Sequence, residues 1–547
     1  MTRCPWSRRF GSRLVATLPL ALHVAVLAAC APSVDGGADP AVVVIGSGVL
    51  RGKEVGSDIV AHLGIPYAKP PIKELRWRPP EAPEPWTGER DAASFGPACP
   101  QADGTAVYYR RAARRLGRDT TAVPAIVDTS EDCLYLNVWA RRDAGADLRP
   151  VFVWVHGGAG TSGAGSDPLF RGSELAARGV VVITVNYRLG PLGFLAHPTL
   201  SADDPEGVSG NYALYDLVRA LEWVRENAAA FGGDAGRVTI AGQSAGANLI
   251  ELLMLVPEAR GLFHRVVLQS ATQNTLRPLR ADRQETSGEA AGVRYLAALG
   301  IPADTAPAVI RAIPADSLIA AAARAGPDTP TQAVVDGRLI PDSPERLFEQ
   351  GEAAAVPVLR GSTDDEFALF IPADPVDPSA YRAWFEERYD TLAAAVLAAY
   401  PPGPDAEITR RRYVRVLSAD AFRVSDLFFL HQVPGPVYLY RFAWRPDGGA
   451  VGAFHSIELP FVFGTHLAAG WWDRTVEVER LTVRIQELWV RFAAAGSPNG
   501  GGSPPWPVAT SDSPVAMVLD SSLQAEPLPA IDMLQALTDR LQGRMRK

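Results

Sequence analysis

A serine with a glycine two residues to either side lies at the end of an apolar, β-branched run. Residues 242–246 read GQSAG; they follow the predicted strand Val238–Ala241, and a predicted helix begins at Ala247. A G-x-S-x-G sequence between a strand and a helix is typical of a nucleophile elbow, in which the serine occupies a strained turn. The pattern therefore predicts that Ser244 is a nucleophile. The alternative is a glycine-rich strand–helix loop with an incidental serine.

A second glycine-rich loop comes earlier in the chain. Residues 156–160 read HGGAG and directly follow the predicted strand Val151–Val155. Small residues allow several backbone N–H groups to point at one oxygen, as an oxyanion hole requires. Such a loop also suits a phosphate, but no GK[ST] sequence follows it. We interpret His156 as a structural residue of this loop.

A nucleophilic serine needs a histidine base, and four histidines follow Ser244. These are His264, His431, His455 and His466. His455 lies in a loop of small residues after the predicted strand Val437–Tyr440, where a base reaches across the end of a sheet. His264 follows the serine too closely, and His431 lies in a helical stretch. Position therefore favours His455.

Three adjacent acids are candidates for the group that orients this histidine. Asp364, Asp365 and Glu366 follow the predicted strand Val356–Arg360. A carboxylate beside an imidazole fixes its orientation and stabilises its charged form. Position does not choose among the three, and a solvated turn is the alternative.

The pattern around these residues predicts an α/β fold. Apolar strand-like runs alternate with helical stretches such as Tyr212–Asn227, which favours a mostly parallel central sheet flanked by helices. The segment Ala281–Gly326 is predicted to form helices and loops outside the sheet. Without repeats or a long linker, residues 41–547 are expected to form a single domain.

The first residues have the pattern of an export signal. Arg3, Arg8, Arg9 and Arg13 precede the apolar run Leu14–Ala29, which is short for a membrane span. The following cysteine, Cys30, completes a sequence that resembles a bacterial lipobox. We therefore expect removal of residues 1–29, lipidation of Cys30, a tether at 30–40, and attachment to a membrane after export. Ordinary signal-peptidase cleavage after Ala31 is the alternative, with a periplasmic or secreted protein as its result.

Composition excludes several classes of protein. The 547 residues include 53 Lys and Arg against 61 Asp and Glu, and 47% are hydrophobic. The excess of acidic residues argues against a nucleic-acid partner, and the ordinary hydrophobic content argues against disorder.

The cysteines have different expected fates. If Cys4 leaves with the signal and Cys30 carries lipid, Cys99 and Cys133 remain. An oxidising compartment favours a disulfide between them, and two buried thiols are the alternative.

Many ordered motifs from about Val49 to Trp506 resemble those of the type-B carboxylesterase family, which has the α/β-hydrolase fold with additional helical cap elements. They include Gly64–Ala68, Cys99–Gln101, Ser130–Asn137, Asn186–Arg188, Gly210–Asn211, Phe231–Asp234, Gly242–Gly246, Gln269–Ser270, His455–Gly464 and Pro498–Asn499. The resemblance implies a serine hydrolase of carboxylic esters that uses an acyl-enzyme and no cofactor or metal. An amidase, lipase or carbamate hydrolase would use the same residues, and a non-catalytic binding protein is a further alternative.

The resemblance also implies roles for particular residues. It places a catalytic triad at Ser244, Glu366 and His455, which selects the glutamate among the three acids. It implies that the backbone N–H groups of Gly158, Ala159 and Ala245 form the oxyanion hole and that Gly157 shapes its turn. It also implies a disulfide between Cys99 and Cys133. Two structural ion pairs are implied as well, Arg76 with Glu131 and Arg188 with Asp234.

Departures from the family bear on the substrate. Cholinesterases carry a tryptophan within the first disulfide loop, but residues 100–132 contain none, which disfavours choline esters. That loop instead carries five arginines, Arg110, Arg111, Arg114, Arg115 and Arg118. They are interpreted as a solvated helical face, and binding of anionic substrates or lipid head groups is the alternative. Gln243 replaces the glutamate common before the serine.

Overall fold

The computed structural model describes residues 39–545, apart from residue 122 and segments 124–127, 144–146, 282–285 and 447–450. The predicted signal peptide at 1–29, Cys30 and the tether up to residue 38 lie outside the described residues. Pro40–Lys547 form one compact unit.

Strands and helices alternate along most of this unit. The strands of the described residues are β1 (Val42–Ile45), β2 (Gly48–Arg51), β3 (Lys53–Val55), β4 (Ile59–Pro66), β5 (Glu89–Asp91), β6 (Tyr135–Arg141), β7 (Arg149–Val155), β8 (Val181–Val185), β9 (Gly233–Gln243), β10 (Arg265–Gln269), β11 (Arg277–Pro278), β12 (Val334–Val335), β13 (Val358–Thr363), β14 (Val437–Phe442), β15 (Val515–Leu519) and β16 (Leu523–Pro527). The helices are α1 (Gly104–Arg115), α2 (Ser173–Ala177), α3 (Gly190–Phe194), α4 (Pro198–Asp203), α5 (Tyr212–Asn227), α6 (Ala245–Leu253), α7 (Gly288–Ala297), α8 (Pro307–Arg311), α9 (Ala315–Ala325), α10 (Pro344–Glu349), α11 (Pro378–Tyr389), α12 (Ala393–Ala399), α13 (Ala406–Ser418), α14 (Val424–Leu430), α15 (Leu459–Phe463), α16 (His466–Ala469), α17 (Val476–Ala495) and α18 (Ile531–Met545).

An eleven-stranded sheet forms the centre of the described unit, in the order β16-β15-β14-β13-β10-β9-β7-β8-β6-β4-β3. The strands from β8 to β15 along this order are parallel. Both edges are antiparallel, through β16 on one side and β6, β4 and β3 on the other. The predicted α/β fold with a mostly parallel sheet is therefore confirmed.

Strand β7 shows why the central strands read as continuous apolar runs. Val151 and Val153 pack into one buried cluster, whereas Phe152 and Trp154 pack into a second. Alternate side chains of a strand point to opposite faces, so the two clusters lie on the two faces of the sheet. A strand covered on both faces has no solvent-facing side, and polar residues do not interrupt it.

Two of the predicted elements have the expected or nearly expected bounds. Helix α5 covers Tyr212–Asn227, as the helical spacing predicts. Helix α6 begins at Ala245, two residues before the predicted start at Ala247, with Ser244 as its N-cap residue. The elbow therefore passes directly from strand to helix.

Of the two expected ion pairs, Arg76 with Glu131 is present, whereas the prediction of Arg188 with Asp234 is wrong. Arg76 Nε donates to Glu131 Oε2 at 2.6 Å, as expected. Arg188 instead bonds Asp216 on α5, with Nε–Oδ2 at 2.8 Å and Nη2–Oδ1 at 2.7 Å. Asp234 pairs with Arg237. The physical reason is topological: Asp234 begins β9, whereas Arg188 follows β8, and these two points lie at opposite ends of parallel strands.

Cys99 and Cys133 are joined by a disulfide that spans 34 positions. Both residues are buried, and the segment between them contains α1. The bond therefore closes a loop that carries one helix and returns to the sheet at β6.

Replacing both Cys99 and Cys133 with serine should lower the free energy of unfolding by about 3–4 kcal/mol, since the unfolded chain regains the entropy of an open loop. Urea denaturation of the purified protein would measure the change. A reductant should lower the midpoint of the wild type and leave that of the double variant unchanged. Equal midpoints for all samples would contradict a stabilising bond.

Candidate active site

The carboxyl ends of the parallel strands bring the predicted site residues to one edge of the sheet. Ser244 follows β9, Glu366 follows β13, and His455 lies in the loop that follows β14. The HGGAG loop follows β7, which pairs with β9. Parallel strands end at the same edge, so segments far apart in the chain meet there.

Ser244 adopts a backbone conformation that few residues other than glycine tolerate, with φ 56° and ψ −128°. Its N–H donates to Gln269 O on the neighbouring strand at 2.9 Å. A Cβ atom at position 246 would lie 2.2 Å from Val155 O and 2.5 Å from His156 O. Glycine at 246 therefore permits the close approach that this turn requires, and the predicted elbow has the expected geometry.

The structure distinguishes Glu366 from its two acidic neighbours. Glu366 Oε2 lies 2.5 Å from His455 Nδ1. Its other oxygen accepts from Ser270 Oγ at 2.6 Å and from Thr363 N at 2.7 Å. The carboxylate is fully buried and held on both oxygens. It is therefore a fixed acceptor for the imidazole.

Asp364 and Asp365 face arginines instead. Asp364 Oδ1 accepts from Arg423 at 2.8 Å and from Arg441 at 2.9 Å. Asp365 Oδ2 accepts from Arg445 Nε at 3.0 Å. These two carboxylates hold the loop by ion pairs, and they are not solvated as a simple turn would be.

The second nitrogen of His455 contacts a side chain that the sequence did not assign to the site. Nε2 lies 2.9 Å from the side-chain nitrogen of Gln243. An amide nitrogen is a donor, so this contact fits a neutral imidazole with its proton on Nδ1, towards Glu366. Among the described residues, Ser244 Oγ has no hydrogen-bond partner. Tyr108 also supports His455, because its hydroxyl donates to the His455 carbonyl at 2.5 Å.

The HGGAG loop lies against the serine. A Cβ atom at position 157 would lie 3.1 Å from Ser244 Cβ and 2.7 Å from Gln243 O. Gly158 and Ala159 have φ of 107° and 56°. Within the described part of the chain, no acceptor is bonded to the N–H of Gly158, Ala159 or Ala245. These three predicted donors are therefore available to an oxygen bound beside Ser244.

His156 supports this loop. Its ring stacks on Tyr187 with centroids 4.5 Å apart, and Nδ1 lies 2.8 Å from Gly157 O. Burial lowers its pKa to about 4, so the ring stays neutral near pH 7. These contacts agree with the structural interpretation of this histidine.

A cavity of about 290 Å³ opens beside Ser244 and His455. Its wall includes Val107, Tyr108, Phe170 and Phe370, which make it mainly apolar. Asp167 also lines it, and burial raises the pKa of this carboxyl to about 6. Its oxygens accept from Leu169 N at 2.9 Å and Tyr109 Oη at 3.0 Å. The cavity is suited to a small, largely apolar molecule.

A second buried glutamate, Glu458, was not predicted as part of the site. Its Oε1 accepts from Gln269 Nε2 at 3.0 Å, and Gln269 Oε1 accepts from Trp489 Nε1. Oε2 has no partner among the described residues. Burial, together with the charge of Glu366, raises the pKa of Glu458 to about 7. Its position three residues after His455 was visible in the sequence, but its orientation was not.

The sequence matches a known protein family over most of its length. The sequence model of the carboxylesterase family matches residues 39–532. This chain belongs to the carboxylesterase family. It is a serine ester hydrolase of the α/β-hydrolase superfamily, and a small-molecule ester is its class of substrate.

Several carboxylesterases are similar over most of their length. The para-nitrobenzyl esterase of Bacillus subtilis is 35% identical over 87% of this chain and 94% of the relative. The fumonisin B1 esterase of Sphingopyxis macrogoltabida is 35% identical over 84% of this chain and 83% of the relative. The crystal structure of a Geobacillus stearothermophilus carboxylesterase has a TM-score of 0.76 at 34% identity, covering 91% of this chain and 99% of that one.

Among the described residues, His, Cys, Asp and Glu side chains form no group of three or more that is arranged to hold a metal ion. Over the same residues, no helix combines the length and apolar character that crossing a bilayer requires.

Replacing Glu458 with glutamine should stabilise the carboxylesterase more at pH 8 than at pH 5. The folded protein retains the Glu458 proton up to a pKa of about 7, whereas the unfolded chain loses it near 4.5. The free energy of unfolding therefore falls as pH rises through this window, by about 2 kcal/mol between pH 5 and pH 8. The glutamine does not ionise, and its carbonyl still accepts from Gln269.

Urea denaturation of both proteins at the two pH values measures this difference. Glu387→Gln, at an exposed position of α11, is the matched control. An equal effect of Glu458→Gln at both pH values would show that the carboxyl is ionised in the folded protein throughout.

Proposed function

We propose that the carboxylesterase cleaves small esters with Ser244 as nucleophile, His455 as general base and acid, and Glu366 as the group that orients His455. The observation that carries this proposal is the 2.5 Å contact between His455 Nδ1 and Glu366 Oε2, beside a cavity that both Ser244 and His455 line. The strained conformation of Ser244 supports the assignment, because strain of this kind is concentrated at functional sites.

In the first half of the reaction, Ser244 Oγ attacks the ester carbonyl while His455 Nε2 accepts its proton. Glu366 stabilises the imidazolium that forms. For this step the imidazole exchanges its contact with Gln243 for one with Ser244 Oγ. Catalytic hydrogen bonds often form only when substrate is bound, so the contact with Gln243 is compatible with this role.

The tetrahedral oxyanion accepts hydrogen bonds from the N–H groups of Gly158, Ala159 and Ala245, while Gly157 shapes the turn. Each such donor lowers the barrier by about 3 kcal/mol. His455 then protonates the departing alcohol and leaves an acyl group on Ser244. Water, activated by the same imidazole, releases the acid and restores the serine.

The size and lining of the cavity favour a small ester over a macromolecule. About 290 Å³ with a mainly apolar wall accommodates an acyl chain or an aromatic alcohol. An amidase, lipase or carbamate hydrolase would use the same three residues. A series of 4-nitrophenyl esters of increasing acyl length, with the matching anilides and carbamates, would rank these activities.

Replacing Ser244 with alanine should lower kcat for 4-nitrophenyl acetate by roughly 10⁴-fold or more, because the nucleophile is lost while the fold remains. Initial rates and circular dichroism test this. Ser522→Ala, at an exposed turn between β15 and β16, is the matched control and should keep full activity. A Ser244→Ala protein that still cleaves the ester through an acyl-enzyme would contradict the proposed mechanism.

We also propose that the carboxylesterase is exported and anchored to a membrane through lipid on Cys30. The support is the order of arginines, apolar run and lipobox-like sequence in residues 1–30. Residues 31–39 are small and polar, as a tether between lipid and enzyme would be.

Replacing Cys30 with alanine should move the protein from the membrane fraction to the soluble fraction of a bacterial host. The wild type should incorporate an alkyne-tagged fatty acid, and the variant should not. Because the cysteine carries the lipid, mass spectrometry should find a modified N-terminus at Cys30. An unmodified N-terminus at Pro32 would instead establish ordinary signal-peptidase cleavage.

A further inference from the structure

One of the arginines in the disulfide loop reaches the cavity. Arg111 lines it together with Val107 and Tyr108, which lie on the same helix, α1. Its Nη1 donates to Leu369 O at 2.9 Å, three residues after Glu366. No carboxylate oxygen of the described residues lies within 4.0 Å of this guanidinium. Arg111 is exposed, and its other guanidinium nitrogens have no hydrogen-bond partner among the described residues.

Two neighbouring arginines are also held by backbone carbonyls, and neither forms an ion pair with a carboxylate of the described residues. Arg115 donates to Ala368 O and Ile371 O at 3.3 Å. Arg410 donates to Pro372 O at 3.1 Å and is only 5% exposed. Burial lowers the pKa of Arg115, and the charges of Arg410 and Arg111 add to this effect. The three guanidiniums therefore create a positive region beside residues 368–372.

The other arginines of the loop differ in their partners. Arg110 pairs with Asp103, and Arg118 pairs with Asp473, so these charges are balanced. Arg114 is exposed but does not line the cavity. The sequence-based interpretation as a solvated face therefore suits Arg114, whereas Arg111 has a different environment.

None of the described carboxylates near the cavity forms an ion pair with Arg111. Both oxygens of Asp167, in the cavity wall, already accept hydrogen bonds. Asp374 and Glu407 act on Arg115, less strongly than the two arginines do. Glu366 is occupied by His455, Ser270 and Thr363.

The charge of Arg111 also acts on Tyr108, which contacts the proposed base His455. Burial, with Glu366 and Glu458, raises the pKa of Tyr108, and the charge of Arg111 opposes that rise. The Tyr108 hydroxyl in turn donates to the His455 carbonyl. Arg111 lies beside the exposed apolar side chains Val107 and Phe370 at the cavity. Its positive charge therefore contributes to the electrostatic potential that a substrate experiences as it enters the cavity.

We propose that Arg111 gives this carboxylesterase a preference for esters that carry an anionic group, by donating hydrogen bonds to a substrate carboxylate at the mouth of the cavity. This rests on the proposed function, since the ester itself is cleaved at Ser244. A guanidinium binds a carboxylate through paired, charge-assisted hydrogen bonds. The apolar wall then takes the chain that separates the carboxylate from the ester.

The test compares esters that differ in charge and little in shape. Mono-4-nitrophenyl adipate carries a carboxylate on the acyl side, and its methyl ester is the neutral partner. The acetyl ester of 4-hydroxybenzoate carries a carboxylate on the alcohol side, and methyl 4-acetoxybenzoate is its neutral partner. The quantity measured is the ratio of kcat/KM for the anionic ester to that for its neutral partner.

Arg111→Gln should lower this ratio about tenfold for at least one pair, mainly through KM, because one charge-assisted contact is lost. The affected pair identifies the side of the substrate that faces Arg111. Arg111→Glu should lower the ratio further. High salt should lower the ratio of the wild type and should have less effect on that of Arg111→Gln.

Two control variants separate this role from a general or a structural effect. Arg114→Gln removes a charge from the same helix outside the cavity, and Arg115→Gln removes a side chain that holds residues 368–371. Both should keep ratios within about twofold of the wild type, as expected for charges that do not contact the substrate. Thermal unfolding of each variant shows whether the fold is retained.

Three outcomes would overturn the proposal: unchanged ratios in Arg111→Gln for both pairs, an equal fall in Arg114→Gln, or an equal fall in Arg115→Gln. Failure of the proposed function would give a different result from failure of the Arg111 proposal. Either the wild type would cleave neither neutral ester, or the Ser244→Ala variant would still cleave both.

Discussion

Ser244 is held in a left-handed backbone conformation by a hydrogen bond to Gln269 and by the contact of Gly246 with the end of β7. Such a conformation costs about 1–3 kcal/mol and persists only where the surrounding structure determines it. Here that structure is the register of β7, β9 and β10, which are parallel neighbours. The HGGAG loop and His455 both lie next to this turn.

Beneath the turn, a cluster of buried charges joins the elements that carry two of the site residues. Arg360, on β13, bonds Glu251 on α6 at 2.5 Å and Asp426 on α14 at 2.7 Å. Burial raises the pKa of Asp426 to about 6, although Arg360 opposes this. Buried ion pairs contribute little net stability, but their geometry is specific. This cluster links the helix after Ser244 to the strand before Glu366.

Much of the fold and part of the site could be predicted because the signals are local. Strand β7 and helix α5 follow from side-chain periodicity, and the elbow at Ser244 follows from small residues between a strand and a helix. The choice of Glu366 needed a family resemblance, since three adjacent acids are equivalent until the loop after β13 acquires its shape.

The remaining features depend on contacts between distant segments. Arg188 meets Asp216 because α5 packs beside the end of β8, which no spacing along the chain reveals. Glu458 and Gln269, distant in the chain, form a hydrogen bond near the proposed catalytic residues for a similar reason. Arg410 begins a run of three arginines, a pattern that suggests a polar face, yet Arg410 is buried and only Arg411 of the three is exposed. Periodicity predicts which residues share a face and does not predict what covers that face.

The disulfide between Cys99 and Cys133 has a consequence for how this enzyme can diversify. The proposed catalytic residues Ser244, Glu366 and His455 lie outside the closed loop. Val107, Tyr108 and Arg111 of the cavity wall lie inside it. The bond fixes both ends of the loop to the scaffold. Mutations within the loop can therefore change which substrates enter the cavity without altering the central sheet that positions Ser244, Glu366 and His455.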